Sequence, residues 1–227
     1  MMGKLQLEKI VQIPADSIAL EGALVIPEHA EGVVTFAHGS GSSRLSPRNT
    51  FVAQQLNKIG IGTLLMDLLT EEEDARYETR FDIELLANRL LQVTYWLQKQ
   101  PDTRNLILGY FGASTGAAAA LRAAAALPEA SIKAIVSRGG RPDLAGGALM
   151  HIQSPTLLIV GGNDDIVLQL NRAAFASLPG EKELAIVPGA THLFEEPGAL
   201  EEVARLASNW FKKYLHILAA PGNVNSQ

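Results

Sequence analysis

The 227-residue sequence contains no cysteine. Disulfides, cysteine-ligated metal sites and a thiolate nucleophile are thereby excluded. Charge is sparse too: 19% of residues are charged, and 24 acids against 19 bases leave a formal net charge of −5. A nucleic-acid-binding domain usually needs a net basic face, so the balance argues against that partner. Apolar runs are interrupted well short of a membrane span. The opening residues, MMGKLQLEKIVQIP, lack the apolar core of a secretory leader. The expectation is a soluble, cytoplasmic chain with no membrane partner.

What is abundant is apolar: 47% of residues are hydrophobic, enough for a sizeable core. At this length one α/β domain is expected over residues 1–218, with 219–227 (AAPGNVNSQ) as a frayed tail. KLQLEKIVQI and SIALEGALVIP read as two extended segments, followed by the buried strand VVTFAH (33–38). A helix runs from Pro47 to Ile59 and stops at Gly60, and GTLLMD (62–67) is again a strand. Residues 81–99 have the spacing of a long amphipathic helix. NLILGYFG then predicts a strand, and STGAAAALRAAAAL a helix ending at Pro128. AIVSRGG (134–140), TLLIVGG (156–162) and LAIVPG (184–189) complete the strands, and the last helix spans about Ala199 to Leu218. Alternating strands and helices predict an α/β fold: a largely parallel sheet covered on both faces, its first two strands an antiparallel edge. Ligands bind such sheets at the carboxyl ends of the strands. Polar residues gather after each of them.

Gly112-Ala113-Ser114-Thr115-Gly116 is the one G-x-S-x-G in the chain, set between the strand LILGYF and an alanine-rich helix. That is the setting of a nucleophile elbow: the glycines let the strand turn sharply and leave Ser114 exposed above the sheet. The plainer reading, a serine capping a helix, explains the flanks less well. A serine hydroxyl needs a base. Of the five histidines, His192 lies between the last strand and last helix, at the carboxyl end. His29 and His151 lie elsewhere, His216 falls in the final helix, and His38 belongs to a glycine-rich loop. The imidazole needs a carboxylate, and VGGNDDIV offers Asp164 and Asp165, with Asp164 the first after the turn. The order Ser114, Asp164, His192 is that of α/β-hydrolases. Backbone donors for an oxyanion are expected at Thr115, directly after the nucleophile, and at Ser40 in His38-Gly39-Ser40-Gly41-Ser42. As a phosphate-cradling loop HGSGS is a poor match, since neither nucleotide-binding glycine pattern is present.

HGSGS, GASTG, GGNDD and GATHLF, in this order and spacing, resemble the dienelactone hydrolase-like group of the α/β-hydrolase superfamily over most of the chain. The resemblance implies an eight-stranded sheet and a covalent acyl-enzyme. Its G-x-x-D-x-x-V pattern falls on GGNDDIV and selects Asp164. One departure stands out: dienelactone hydrolases proper use a cysteine where this chain has Ser114. About 15 residues separate AIVSRGG from TLLIVGG, where many relatives insert a cap, so an open site is expected.

The function expected is hydrolysis of a small carboxylic ester, lactone or thioester, with no cofactor and no metal. Acyl transfer through the same acyl-enzyme, or a non-catalytic binding protein on this fold, are the alternatives. Arg44, Arg48, Arg138 and Arg141 follow two strands at the same end as Ser114. They predict either recognition of an anionic substrate group or pairing with acids in neighbouring loops, such as Asp67 and Asp143. The run Glu71-Glu72-Glu73-Asp74 is expected to be a solvated loop.

Overall fold

A computed structural model describes residues 5–216. Eight strands form one sheet: β1 (Leu5–Ala15), β2 (Ile18–Pro27), β3 (Gly32–Ala37), β4 (Gly62–Met66), β5 (Ile107–Ala113), β6 (Ala134–Arg138), β7 (Thr156–Gly161) and β8 (Lys182–Val187). Their spatial order is β1-β2-β4-β3-β5-β6-β7-β8. β1 and β2 form an antiparallel hairpin, and β2 pairs antiparallel with β4. Every further pairing is parallel. The sequence expectation of a mostly parallel sheet with an antiparallel edge describes this sheet.

β3, β4 and β7 are buried at every position, which is why GVVTFA, GTLLM and TLLIVG read as continuous apolar runs. β8, at one edge, mixes Lys182 and Glu183 with apolar residues and is mostly half-buried. Side chains alternate between two cores. Val33, Leu64, Tyr110 and Ile135 face one, which packs against α3 (Ile83–Leu97), α4 (Thr115–Ala126) and part of α5 (Asp165–Ser177). Val34, Phe36, Phe111 and Val136 face the other, under α1 (Pro47–Lys58) and α6 (Ala199–Tyr214).

Helix starts follow their capping chemistry. Ser46 accepts the Asn49 N–H with Pro47 in the first turn of α1, and Asp82 accepts the Leu85 N–H at the start of α3. That cap moves the helix expected over 81–99 to 83–97, and a 3-10 turn at Glu78–Phe81 precedes it. The acidic run differs more. Glu71–Asp74 is a one-turn helix, α2, closed by a capping box between Thr70 and Glu73. Glu73 also receives the buried Arg89 guanidinium at 3.0 Å. The last helix stops at Tyr214, so His216 lies just beyond it; the end expected at Leu218 and the tail 219–227 lie outside the described residues. A 3-10 segment, Pro142–His151, is the one element between β6 and β7.

Candidate active site

Ser114 sits between β5 and α4 with φ 51° and ψ −118°, a backbone conformation that side chains other than glycine's adopt at a cost of about 1–3 kcal/mol. The surroundings hold it there. Its N–H donates to Arg138 O at 3.2 Å, and the Arg141 N–H donates to Ser114 O at 3.1 Å. The flanking glycines are required by space. A Cβ at Gly112 would stand 2.4 Å from Ala117 Cα, and one at Gly116 would stand 2.2 Å from Ala37 O. Strand and helix thus close on each other, and the serine is pushed up at the bend.

His192 lies on the loop between β8 and α6, and Asp164 on the turn between β7 and α5. His192 Nδ1 is 2.7 Å from Asp164 Oδ2, with the imidazole 39% and the carboxylate 14% exposed. A carboxylate accepts only, so Nδ1 carries the proton and Nε2 is left free to accept one. The two loops are tied to each other: Asn163 N–H donates to Ala190 O at 2.9 Å and Asn163 Nδ2 to Gly189 O at 3.0 Å. Glu196 fastens the far side, accepting from both the N–H and the hydroxyl of Thr191. These hydrogen bonds hold its carboxyl below the usual range, the Thr191 hydroxyl contributing most.

The other histidines are placed differently. His29 is exposed in the turn after β2, His151 ends the 3-10 segment, and His216 is exposed beyond α6. His38 is buried, with Nδ1 2.9 Å from Gly39 O and Nε2 accepting the Leu68 N–H at 3.0 Å. Burial pushes its pKa down, which keeps it a neutral clamp between the glycine loop and the end of β4.

Ser114 and His192 line one cavity of about 250 Å³, together with Ser40, Arg48, Asn49 and Arg138. Clefts of about 520 and 580 Å³ lie elsewhere and are not lined by Ser114, so their size does not make them the site. Of the two residues expected to supply oxyanion donors, Ser40 already uses its N–H, donating to Thr115 Oγ1 at 2.9 Å.

The four arginines divide. Arg44 is bound on Asp67, through its N–H at 2.7 Å and its guanidinium at 2.8 Å, and on Glu21 as well. Arg141 forks onto Asp143 at 2.8 and 2.7 Å, which raises its pKa. Neither lines the cavity of Ser114; both take the pairing that the sequence offered as the alternative. Arg48 and Arg138 do line it. Arg48 reaches Glu195 at 3.0 Å on the histidine loop. Arg138 is 7% exposed, its Nε has no partner, and its guanidinium lies 5.8 Å from the centre of the Phe194 ring. Burial, with Arg48 beside it, brings its pKa down to about 10.

Sequence reasoning missed three residues that shape this site. Asn49 is buried in the first turn of α1 with Oδ1 unpartnered. Phe194 takes φ 56° under Arg138, and Glu196 pins Thr191. Only Glu196 had a sequence signal, as an acid close after His192. Among the described residues no group of three or more His, Asp or Glu is placed to hold a metal ion. No helix among them is long and apolar enough to cross a membrane.

No protein-family model matches the chain. The crystal structure of a dienelactone hydrolase from Anabaena variabilis is 56% identical, with 94% of this chain and 100% of that one covered and a TM-score of 0.90. Est1E from Butyrivibrio proteoclasticus, at 18% identity, shares the fold with a TM-score of 0.77 over 90% of this chain and 98% of that one. Two curated proteins of Mycobacterium tuberculosis, each named "Putative phosphoribosyl transferase", are 58% identical over 205 residues. That is 90% of this chain but 46% of theirs, so the chain spans about half the length of the curated relatives it matches.

Proposed function

Since the chain belongs to the dienelactone hydrolase group of the α/β-hydrolase superfamily, we propose that it is a serine hydrolase acting on a carboxylic ester, lactone or thioester. Ser114 attacks the acyl carbon while His192 Nε2 takes its proton, and Asp164 stabilises the imidazolium. The tetrahedral intermediate collapses to an acyl-enzyme as His192 returns the proton to the leaving oxygen or sulfur. Water, deprotonated by His192, then releases the acid. The observation that carries this reading is the 2.7 Å contact of His192 with Asp164 on a ring that shares a cavity with a strained, upturned Ser114. Serine here does the work that cysteine does in dienelactone hydrolases proper.

The substrate suited to this cavity is small and anionic. Its volume of about 250 Å³ falls below the ~300–1,000 Å³ typical of drug-sized ligand sites. Arg138, with Arg48 beside it, offers a guanidinium to a carboxylate or phosphate on that substrate. This reading covers the 205-residue stretch shared with the Mycobacterium proteins; phosphoribosyl transfer is a name given to proteins about twice as long.

The test is turnover of p-nitrophenyl esters varied in chain length and charge. Ser114→Ala should abolish turnover with its circular dichroism and melting temperature unchanged, and Asp164→Asn should lower kcat by about 10³–10⁴-fold. Ester hydrolysis that persists in Ser114→Ala would overturn the assignment.

A further inference from the structure

We propose that Asn171, a buried residue of α5, is a positioning residue for the nucleophile, acting through the loop 138–141. This rests on the serine-hydrolase reading above. Ser114 holds its φ of 51° through two backbone hydrogen bonds, and both are made with that loop. Arg138 O accepts the Ser114 N–H at 3.2 Å, and the Arg141 N–H donates to Ser114 O at 3.1 Å. Each contact is one end of a peptide unit whose other end is anchored. In a planar trans peptide the C=O and the following N–H point in opposite directions, so fixing one fixes the other. The Arg138–Gly139 unit is held by its N–H, which donates to Ile159 O on β7 at 2.8 Å. The Gly140–Arg141 unit is held by its C=O, which accepts from Asn171 Nδ2 at 2.9 Å. One peptide is locked by the sheet, the other by a side chain.

The second lock matters because the loop has little stiffness of its own. Gly139 and Gly140 are adjacent, and glycine restricts the backbone least of all residues. Neither leaves room for a stiffer residue. A Cβ on Gly140 would stand 1.9 Å from Ser137 Oγ and 2.7 Å from Ala117 Cβ. Gly139 has φ 51°, and a Cβ there would lie 3.2 Å from His192 O and 3.5 Å from His192 Cε1. The loop is therefore in contact with the base as well as the nucleophile, and its rigidity is supplied from outside. Asn171 is 0% exposed. Its Nδ2 gives a second proton to Val167 O at 2.8 Å, one turn back on α5, which fixes the plane of the carboxamide. Its Oδ1 has no partner. A buried amide oxygen without a hydrogen bond is costly, so packing alone would favour leucine here. Reversing the amide would set Oδ1 against two carbonyl oxygens, so the donor faces Gly140. The same helix begins after Asp164, so one element carries both the acid beside His192 and the anchor of the nucleophile's loop.

Asn171→Leu removes the donor and keeps the bulk. With p-nitrophenyl acetate its kcat should fall about 10–10²-fold, the scale of effect expected when a reacting atom is misplaced by up to about 1 Å. KM should change by less than about threefold. A fluorophosphonate should label Ser114 more slowly by the factor lost in kcat, yet label as large a fraction of the protein in the end. A purely structural loss would lower that final fraction instead. The acid limb of the pH–rate profile should keep its inflection, because the contact between His192 and Asp164 is untouched. Phe175→Ala is the control: it lies one turn further along α5, packs against the first core, and should be labelled at the parent's rate. Should Asn171→Leu not fold, Asn171→Ala is read in the same way. A labelling rate within about twofold of the parent would overturn the proposal. So would a reduced final fraction, an equal slowing in Phe175→Ala, which would make helix packing the cause, or a moved inflection, which would put the effect on Asp164. Ser114→Ala run alongside tells the two failures apart: an active Ser114→Ala removes the serine-hydrolase reading itself, and an inactive one leaves only the role of Asn171 in question.

Discussion

Arg138 is an unbalanced charge inside the protein. It is 93% buried by the complement of its 7% exposure, and its nearest charged neighbour in the cavity is Arg48, another cation. A buried ion without a counter-charge costs several kcal/mol, and the face of Phe194 offsets only part of that. Such a cost is tolerated at a site that an anion completes. Arg138→Met keeps the length and removes the charge, so the unliganded variant should melt at a higher temperature than the parent. The same variant should raise KM for esters bearing a carboxylate by about tenfold or more, and leave neutral esters within about twofold. Calorimetry and parallel kinetics on the two ester classes check both halves, and equal effects on charged and neutral esters would remove the anion reading. The sequence offered Arg138 and Arg44 on equal terms. What separates them is long-range: Asp67, directly after β4, meets the loop after β3 because those strands are neighbours, while among the described residues Arg138, at the end of β6, has no salt bridge. The positions of Ser114, Asp164 and His192, each after its own strand, were legible because glycines mark those strand ends in the sequence.

At the scale of elements, the junction of β5 and α4 carries the site. Ala37 O is 2.2 Å and His38 O 2.5 Å from where a Gly116 Cβ would lie. Both are backbone atoms and cannot swing aside. Gly116→Ala must push α4 from the end of β3 and carry Ser114 with it. We expect a loss of about 3 kcal/mol or more in urea denaturation, above the ~1–3 kcal/mol usual for overpacking. Gly147→Ala, where nothing lies within 4 Å, is the control and should stay within about 1 kcal/mol. Similar stabilities would mean that the helix has room to shift. Most elements were legible for related reasons: Ser46-Pro47 opens α1, and Gly60 follows its end. The one-turn α2 was not, although Thr70-x-x-Glu73 is a capping signal, because four acids in a row also describe a solvated loop. The charge balance that decides between them comes from Arg89, on a helix further along the chain.

At the scale of the molecule, one sheet separates two cores, and the site draws on both. Ser114 opens α4 on one face, and Arg48 and Asn49 enter from α1 on the other. Strand order was not legible, because placing β4 outside β3 and β5 inside depends on crossovers that local patterns do not record. The two cores share the strands of the sheet. Along β5, Tyr110 is fixed in one core and Phe111 in the other, so neither layer can loosen without pulling on the strand they share. The two tryptophans report on the layers separately: Trp96 in α3 packs against the first core, and Trp210 in α6 is buried in the second. Trp96→Phe and Trp210→Phe each leave one fluorescent reporter. After correction for the small stability change of each variant by circular dichroism, both should lose fluorescence at the same urea concentration, and esterase activity should vanish with them. A Trp210 transition that clearly precedes that of Trp96 would mean that the layer of α1 and α6 opens on its own, taking Arg48 away from Ser114 while the nucleophile's own layer stays folded.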